Sequence, residues 1–520
     1  MTDESGPARP PNSLLHYSPA LIVVAIVVAD SGRLADPDLW GHVRFGQAVL
    51  SAGHLITADP YSYSAPGHLW LNHEWLSEVV MGWLYNALGV LGLKAMKLAC
   101  STAMVIALAL AIAETGAEIT VQMAVLLGVC VAITPQMMFR PQAFTFALLA
   151  ILLAVLARLT FRGRAPIWIA VPLLALWANL HGGFIMGLAT LGIYSAAAGK
   201  SDVVAGRGIN RSLGLFAITA LATLATLATP YGIGAWQAVL HALHNPHTRI
   251  VVIDWQPITR AIAMQWATKP GGVYYVLLAI AIYLAMAIFF ALTPEATDAA
   301  LVAVAAVMIV SAVVAVRNLP IAVIASAIPL ARHGDQWLKR KRSAHGQAQP
   351  QLPMRSSLAH QSIVLAVALA LAMQTGLFST RMAAGDPYPV GAVQFMKNHA
   401  IAGNILGTFG WGEYLIWHTS PQSRVFIDGR YDTVFPSEVI DDYLAFHFAR
   451  PEASRMLKNY PHDLILISKD LPAYRMISQL PDWKLIYSDD EATLFARTNS
   501  PPSHLPDVPV TAKAPPSNFP

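Results

Sequence analysis

The chain has 520 residues and a formal net charge of +4, with 55% of its residues hydrophobic and only 12% charged. A soluble domain carries roughly twice that charge fraction, and the mean hydropathy is +0.49, so an ordinary soluble protein is excluded in favour of a polytopic membrane protein. The modest positive charge is concentrated in a few loops, which speaks to membrane topology and excludes a nucleic-acid partner.

Residues 1–13 are polar and proline-rich and read as a disordered cytoplasmic tail. Residues 17–29 begin the first span. The segment ahead of them is acidic as well as basic and no small-residue cleavage site follows, so a cleaved signal is not expected. Next comes Asp36-Pro-Asp-Leu-Trp-Gly-His-Val-Arg44, the opening of a polar loop that runs to residue 73 and includes the turn-rich stretch Ala58-Asp-Pro-Tyr-Ser-Tyr-Ser. Residues 74–92 carry Trp75, Trp83 and Tyr85 and read as a helix lying along the membrane interface. Further apolar runs fall at 95–113, 119–136, 142–158, 166–179, 181–199, 212–229, 271–292, 298–316, 318–331 and 361–378, which makes about eleven spans in all. Cys100 and Cys130 lie inside such runs and read as packing residues, not a disulfide or metal pair.

Charge chooses the topology. With a cytoplasmic amino terminus and 74–92 not crossing, the basic loops at 158–164, 200–211 and 332–342 all fall inside, as the positive-inside rule requires. Lys94 and Lys97 are then left on the outer side. The polar motifs Phe139-Arg-Pro-Gln-Ala-Phe144, Trp177-Ala-Asn-Leu-His-Gly-Gly-Phe184, Thr229-Pro-Tyr-Gly232 and Val316-Arg-Asn-Leu-Pro320 also land outside, with the loop at 241–269. Each borders an apolar run, and proline or glycine there frees backbone groups that need partners.

After the last span the composition changes. Residues 386–498 read as an α/β domain of roughly 110 residues on the outer side. Strand-like runs fall at 404–408, 413–417, 425–428, 463–468, 484–488 and 493–496, with helical patterns at 391–399, 436–448 and 452–459. The sharpest motif is Phe426-Ile-Asp-Gly-Arg-Tyr-Asp432, an apolar run ending in a turn signal. Residues 499–520 read as a second disordered tail.

A carboxylate pair at the mouth of a helix bundle can act as a general base, hold a divalent cation or bind a cationic substrate. Arg44, Arg140 and Arg317 suit a phosphate, because a guanidinium stays charged and offers a fork of donors. Base plus arginine-bound lipid phosphate describes a group transfer at the membrane surface.

Taken together, Asp36-Pro-Asp-Leu-Trp-Gly-His, His73-Glu-Trp-Leu-Ser-Glu, Arg140-Pro-Gln-Ala-Phe-Thr-Phe, Asn179-Leu-His-Gly-Gly-Phe and Phe426-Ile-Asp-Gly-Arg resemble a group of bacterial membrane proteins related to the GT-C glycosyltransferases. The resemblance covers nearly the whole chain. It implies a polytopic α-helical fold with a C-terminal extracytoplasmic α/β domain in the bacterial cytoplasmic membrane. It also implies inverting transfer of a sugar from a polyprenyl-phosphate donor to an envelope glycan, lipid or protein acceptor. In that superfamily a carboxylate of the first outer loop is the base, which maps to Asp38 or Asp36. Pro37 biases Asp36 toward an extended backbone, so the two should point apart, and Asp38 is preferred.

His42 and His73 are candidates for positioning the acceptor. Glu74 can act in the site or favour the start of the interfacial helix through its charge. Gln142, Asn179, His181 and Asn318 complete the candidate substrate-binding set. Relatives often hold an acidic residue in the next outer loop, where this chain has Arg140; a divalent cation is a candidate cofactor, and no metal ligand is assigned. The rival readings are a transporter or flippase for a lipid-linked saccharide, which places ionisable groups near mid-span, and a non-catalytic envelope scaffold, which tolerates loss of both aspartates.

Overall fold

A computed structural model describes residues 18–31, 34–204, 206, 210–245, 253–268, 273–293, 298–345, 376–505 and 513–520, with a few positions between 362 and 373. The tail at 1–13 and most of the expected span at 361–378 lie outside the described residues. The chain divides into two compact units. A helical unit comprises Met1–Gly32, Lys94–Gly232 and Val251–Phe378, and an α/β unit comprises Arg33–Leu93, Ile233–Ile250 and Ser379–Pro520.

In chain order the helices are α1 (Ser18–Ser31), α2 (Leu39–Ala52), α3 (Trp75–Leu88), α4 (Val90–Ala113), α5 (Ile119–Ile133), α6 (Gln142–Arg162), α7 (Ala170–Leu180), α8 (Phe184–Val204), α9 (Asn210–Ala225) and α10 (Ile233–His244). They continue with α11 (Ile258–Thr268), α12 (Val273–Leu292), α13 (Ala299–Val314) and α14 (Leu319–Ala344). Then follow β1 (Met382–Ala383), α15 (Val390–Asn398), β2 (Asn404–Gly407), α16 (Gly412–Thr419), β3 (Arg424–Val425), α17 (Ser437–His447) and α18 (Ala453–Asn459). The chain closes with β4 (Leu464–Ile467), α19 (Pro472–Ile477), β5 (Trp483–Ser488), β6 (Thr493–Arg497) and β7 (Asn518–Phe519).

Among the described residues four helical stretches are long and apolar enough to cross a membrane: Val90–Ala113, Ile119–Gln136, Gln142–Arg162 and Val273–Leu292. Shorter apolar helices include Ile167–Leu180 and Ala299–Val314. Together with the composition they make this a multi-pass membrane protein. In the helical unit α14 is buried along most of its first sixteen residues and packs on α5, α6, α12 and α13. Large apolar side chains elsewhere point outward, among them Leu224, Ile288 and Val310, which suits a surface solvated by lipid.

The basic end of α14 is fixed by ion pairs, Arg342 to Glu118 at 2.6 Å and Lys339 to Asp335 at 2.7 Å. The two lysines that sit awkwardly in the topology are both accommodated. Lys97 is buried with its ammonium 4.6 Å from the Phe139 ring centroid, and Lys94 Nζ donates to the Gly376 carbonyl at 2.7 Å.

The α/β unit is built on a five-stranded sheet of order β3-β2-β4-β6-β5. β2 runs parallel to β3 and β4, and β6 runs antiparallel to both β4 and β5. The segment 61–63 lies along the outer side of β3, where Tyr63 donates to the Val425 carbonyl and Val425 to the Tyr61 carbonyl, each at 3.1 Å. The first loop therefore covers a sheet edge that would otherwise expose unpaired backbone.

Three expectations are corrected here. Residues 36–73 are not an open loop: they contain α2, whose Leu39, Trp40, Val43 and Phe45 are buried. Trp40 packs against Tyr388, Tyr414 and Phe519, with ring centroids 4.5 to 5.6 Å apart. The run at 413–417 is helical, as α16, because Gly412 sits so close to the Ile427 carbonyl that helix and sheet connection are in backbone contact. The final tail is not wholly without structure: β7 pairs antiparallel with β1, and Phe519 is buried.

Helices α2 and α3 meet backbone to backbone. A Cβ on Gly46 would stand 1.8 Å from the Glu78 carbonyl oxygen, and one on Gly82 2.7 Å from the Gln47 nitrogen. His42 lies one turn before Gly46, so this crossing is what brings it to Glu78. Gly46→Ala is expected to force the helices apart at a cost of about 1–3 kcal/mol. Thermal unfolding of the purified protein checks it; a variant as stable as the parent contradicts the close approach.

Candidate active site

The polar residues of the α/β unit gather around the turn that follows β3. Asp38 precedes the first residue of α2, and its side chain makes no capping bond to that helix. Its carboxylate is directed elsewhere: Oδ1 lies 2.9 Å from the point where a Cβ on Gly429 would stand, and Glu413 Oε1 lies 2.6 Å from the same point. Asp36 does a different job. Its Oδ1 accepts the Asp38 amide at 2.9 Å and its carbonyl accepts the Leu39 amide, so it shapes the turn into α2.

Glu413 is the residue that sequence reasoning missed. It occupies the first turn of α16, is 4% exposed, and accepts the Gly41 amide at 3.0 Å through Oε2. A Cβ at position 41 would lie 2.0 Å from that oxygen, so any larger residue there would push the Glu413 carboxylate aside. Burial pushes the Glu413 carboxyl well above the usual range, and the charges of Asp38, Asp428 and Glu78 push in the same direction against the weaker pull of Arg430. A neutral acid beside a second carboxylate can donate a hydrogen bond to it or to a bound hydroxyl.

This shift carries a sign. The native state retains a proton that the unfolded chain surrenders near the ordinary glutamate value of 4.5. The parent protein therefore loses stability as pH climbs from there toward the raised native value. Glu413→Gln lacks this loss, so its unfolding temperature should gain on that of the parent as pH is raised. A difference that does not change with pH contradicts the assignment.

Behind the pair, Arg430 binds the motif together. Its Nε and Nη2 donate to Asp428 Oδ1 and Oδ2 at 2.8 and 2.7 Å, and its Nη1 pairs with Asp59 Oδ1 at 2.7 Å. The guanidinium carbon lies 4.8 Å from the Trp70 ring centroid and 5.2 Å from those of Phe45 and Tyr61. Burial opposes its charge, but Asp428 and Asp59 outweigh burial and hold the guanidinium more firmly protonated than usual. Asp59 in turn accepts the Tyr61 and Ser62 amides at 3.0 and 3.1 Å.

One turn along α2 from Asp38, His42 Nδ1 lies 3.2 Å from Glu78 Oε1 and 4.0 Å from Glu74 Oε2. Burial alone lowers the imidazole pKa, yet the Glu78 bond and the charges of Glu74, Glu78 and Asp38 overcome it and raise it to about 9. Glu78 also accepts Asn72 Nδ2 at 2.5 Å. Glu74 stands at the start of α3 without a capping bond, and its carboxylate faces His42 and, at 3.8 Å, His73 Nε2. The ligand atoms of His42, Glu74 and Glu78 lie within 4.8 Å of one another. One nitrogen and two carboxylates is a donor set that fits a divalent cation once the imidazole has lost its proton.

Arg44 acts with its charge on the Tyr61 hydroxyl, as Arg430 does, and its Nε is buried and lacks a hydrogen-bond partner.

The remaining candidates belong to the helical unit. Arg140 and Arg317 converge on one short turn, Ile253–Trp255: Arg140 Nη1 is 3.7 Å from Asp254, and the Arg317 guanidinium is 4.1 Å from the Trp255 ring centroid. His181 Nδ1 lies 2.8 Å from the Thr145 hydroxyl and accepts the Gly183 amide at 3.0 Å, which assigns its proton to Nε2. Gln142 opens the same helix as Thr145, and its Oε1 is buried without a hydrogen-bond partner. Asn179 bonds the Ala175 and Ala228 carbonyls and Asn318 the Ser311 carbonyl, so both have structural work in the fold.

No family profile and no curated protein matches the sequence. Solved structures do. The apo oligosaccharyltransferase of Archaeoglobus fulgidus aligns with a TM-score of 0.54 at 11% identity over 88% of this chain and 70% of that one. The same enzyme in complex with Zn and sulfate aligns at 0.52 with 12% identity, over 92% and 73% of the two chains. The arabinofuranosyltransferase AftD from Mycobacteria aligns at 0.53 with 15% identity over 94% of this chain, which spans 40% of AftD. At such identities the likeness is one of fold.

Proposed function

We propose, from the GT-C glycosyltransferase fold that this chain shares with those enzymes, that it transfers a sugar from a polyprenyl-phosphate donor to an acceptor on the outer side of the bacterial cytoplasmic membrane. The observation that carries the reading is the aim of Asp38. A first-loop carboxylate leaves its own helix uncapped and turns toward Gly429 beside buried Glu413. Residues 36–73 and the carboxy-terminal domain fold into one unit, which supports the reading that both lie on the outer side.

In this mechanism Asp38 takes the proton from the acceptor hydroxyl as its oxygen attacks the anomeric carbon. The bond from that carbon to the phosphate oxygen breaks, and polyprenyl phosphate leaves with the electron pair, inverting the centre. Glu413, as a neutral acid, orients the base or the acceptor, and His42, protonated while no metal is held, offsets the charges of Glu74, Glu78 and Asp38. A divalent cation held by His42, Glu74 and Glu78 would supply Lewis acidity toward a phosphate or hydroxyl oxygen. The buried pair His333–Asp298 does not favour a transporter: Asp298 sits at the start of α13, not at mid-span.

The test is turnover in liposomes. Purified protein is supplied with polyprenyl-phosphate sugars extracted from bacterial membranes, with envelope extract as acceptor. Release of polyprenyl phosphate, followed by mass spectrometry, is expected only with the protein present. No release from any extracted donor contradicts the proposal.

A further inference from the structure

A cleft of about 380 Å³ opens on the flank of the helical unit between α5, α12 and α14. Its wall is almost wholly apolar, formed by Ala124 and Gly128, by Ile282 and Phe289, and by Leu330 and Trp337. It exists because small residues on α5 face large ones across it: a Cβ on Gly128 would meet no atom within 4 Å. The wall runs from Thr120 to Gly128 along α5, a rise of about 12 Å, which is a little under the thickness of one leaflet, about 15 Å.

One end of the cleft is charged. It closes at Trp337 and Leu338, beside the run Lys339-Arg-Lys-Arg342. Lys339 and Arg342 are engaged by Asp335 and Glu118. The exposed Lys341 side chain, among the described residues, meets only the face of Trp337, its ammonium 5.2 Å from the ring centroid. Trp337 itself packs on Phe289, with centroids 5.2 Å apart. An apolar slot a little shorter than a leaflet is thick, with an available cation at its mouth, has the chemistry of a lipid seat. Among the described residues Ala372 and Leu377 pack with Ile26 and Leu98.

We propose that this cleft binds one anionic phospholipid of the inner leaflet, an acyl chain lying along Gly128 and Ile282 and the headgroup phosphate at Lys341. The site is separate from the carboxylate cluster and does not depend on the proposed transfer reaction. The basic run would draw anionic over zwitterionic headgroups.

Native mass spectrometry of the full chain in mild detergent, titrated with phosphatidylglycerol and with phosphatidylcholine of identical chains, tests this. The parent protein is expected to retain one phosphatidylglycerol in preference. Lys341→Gln should weaken that lipid about fivefold while leaving phosphatidylcholine unchanged. Gly128→Leu, which enters open space and leaves the fold intact, should weaken both lipids about tenfold by filling the slot. Equal binding of the two lipids by the parent, or unaltered binding in Gly128→Leu, overturns the proposal. So does a dimer that Gly128→Leu dissolves, since the slot would then belong to a second copy.

Discussion

Asp38→Asn is expected to slow sugar transfer by about 10²–10⁴-fold, the usual contribution of a positioned general base. Asparagine keeps the shape of the side chain and its place beside Gly429, but it cannot accept the acceptor's proton. Because Asp38 makes no capping bond to α2, the fold should survive and unfolding temperature should change little. The loss should appear in kcat with KM for the donor nearly unchanged, as for an interaction made only in the transition state. Asp36→Asn is the natural companion. Its oxygen still accepts the Asp38 amide, so a much smaller effect is expected. Equal losses in the two variants would contradict the division of labour between them.

Arg430→Ala is expected to destabilise the α/β unit by about 3–5 kcal/mol, because it leaves Asp428 and Asp59 buried and uncompensated. Both carboxylates are fully buried, and the arginine side chain is 4% exposed. The rings of Phe45, Tyr61, Trp70 and Phe435 around the guanidinium lose their contact as well, leaving a cavity. An unfolding temperature lower by roughly 10 °C or more corresponds to this range. Arg430→Lys keeps the charge but lacks the fork that meets Asp428 and Asp59 together, so it should fall between the parent and the alanine variant. Thermal unfolding monitored in the aromatic region checks both; an alanine variant within about 1 kcal/mol of the parent would mean the pair is not holding the turn.

Much of the architecture could be read in the sequence, and the reasons differ by region. The helices of the helical unit follow from uninterrupted apolar runs, because lipid leaves the backbone no partner except itself. In the carboxy-terminal domain, β4, β5 and β6 were visible as short apolar runs between turn residues. The run Gly412-Glu-Tyr-Leu-Ile-Trp417 misleads, because its aromatic and branched residues suit a strand, whereas packing of Gly412 on the Ile427 carbonyl makes it helical. That error hid Glu413, which can be recognised only once α16 places it against Gly41. Spacing showed Asp36 and Asp38 as a pair, but not that Asp38 would meet a glutamate 375 positions later. Likewise Asp59 and Arg430 each looked like turn residues, and their shared burial is a product of the first loop lying along β3. Arg140 and Arg317 both meet the turn at Ile253–Trp255, to which nothing in their spacing points.

The proposed reaction rests on a first-loop carboxylate doing chemistry on a lipid-linked sugar. The most direct measurement is mass spectrometry of lipid-linked sugars and envelope glycans in cells carrying the parent protein or Asp38→Asn, at equal amounts of folded protein. The account predicts that one polyprenyl-phosphate sugar accumulates in the variant while a glycan, glycolipid or glycoprotein of the envelope loses that sugar. Identical lipid-linked and envelope sugars in the two strains would contradict it.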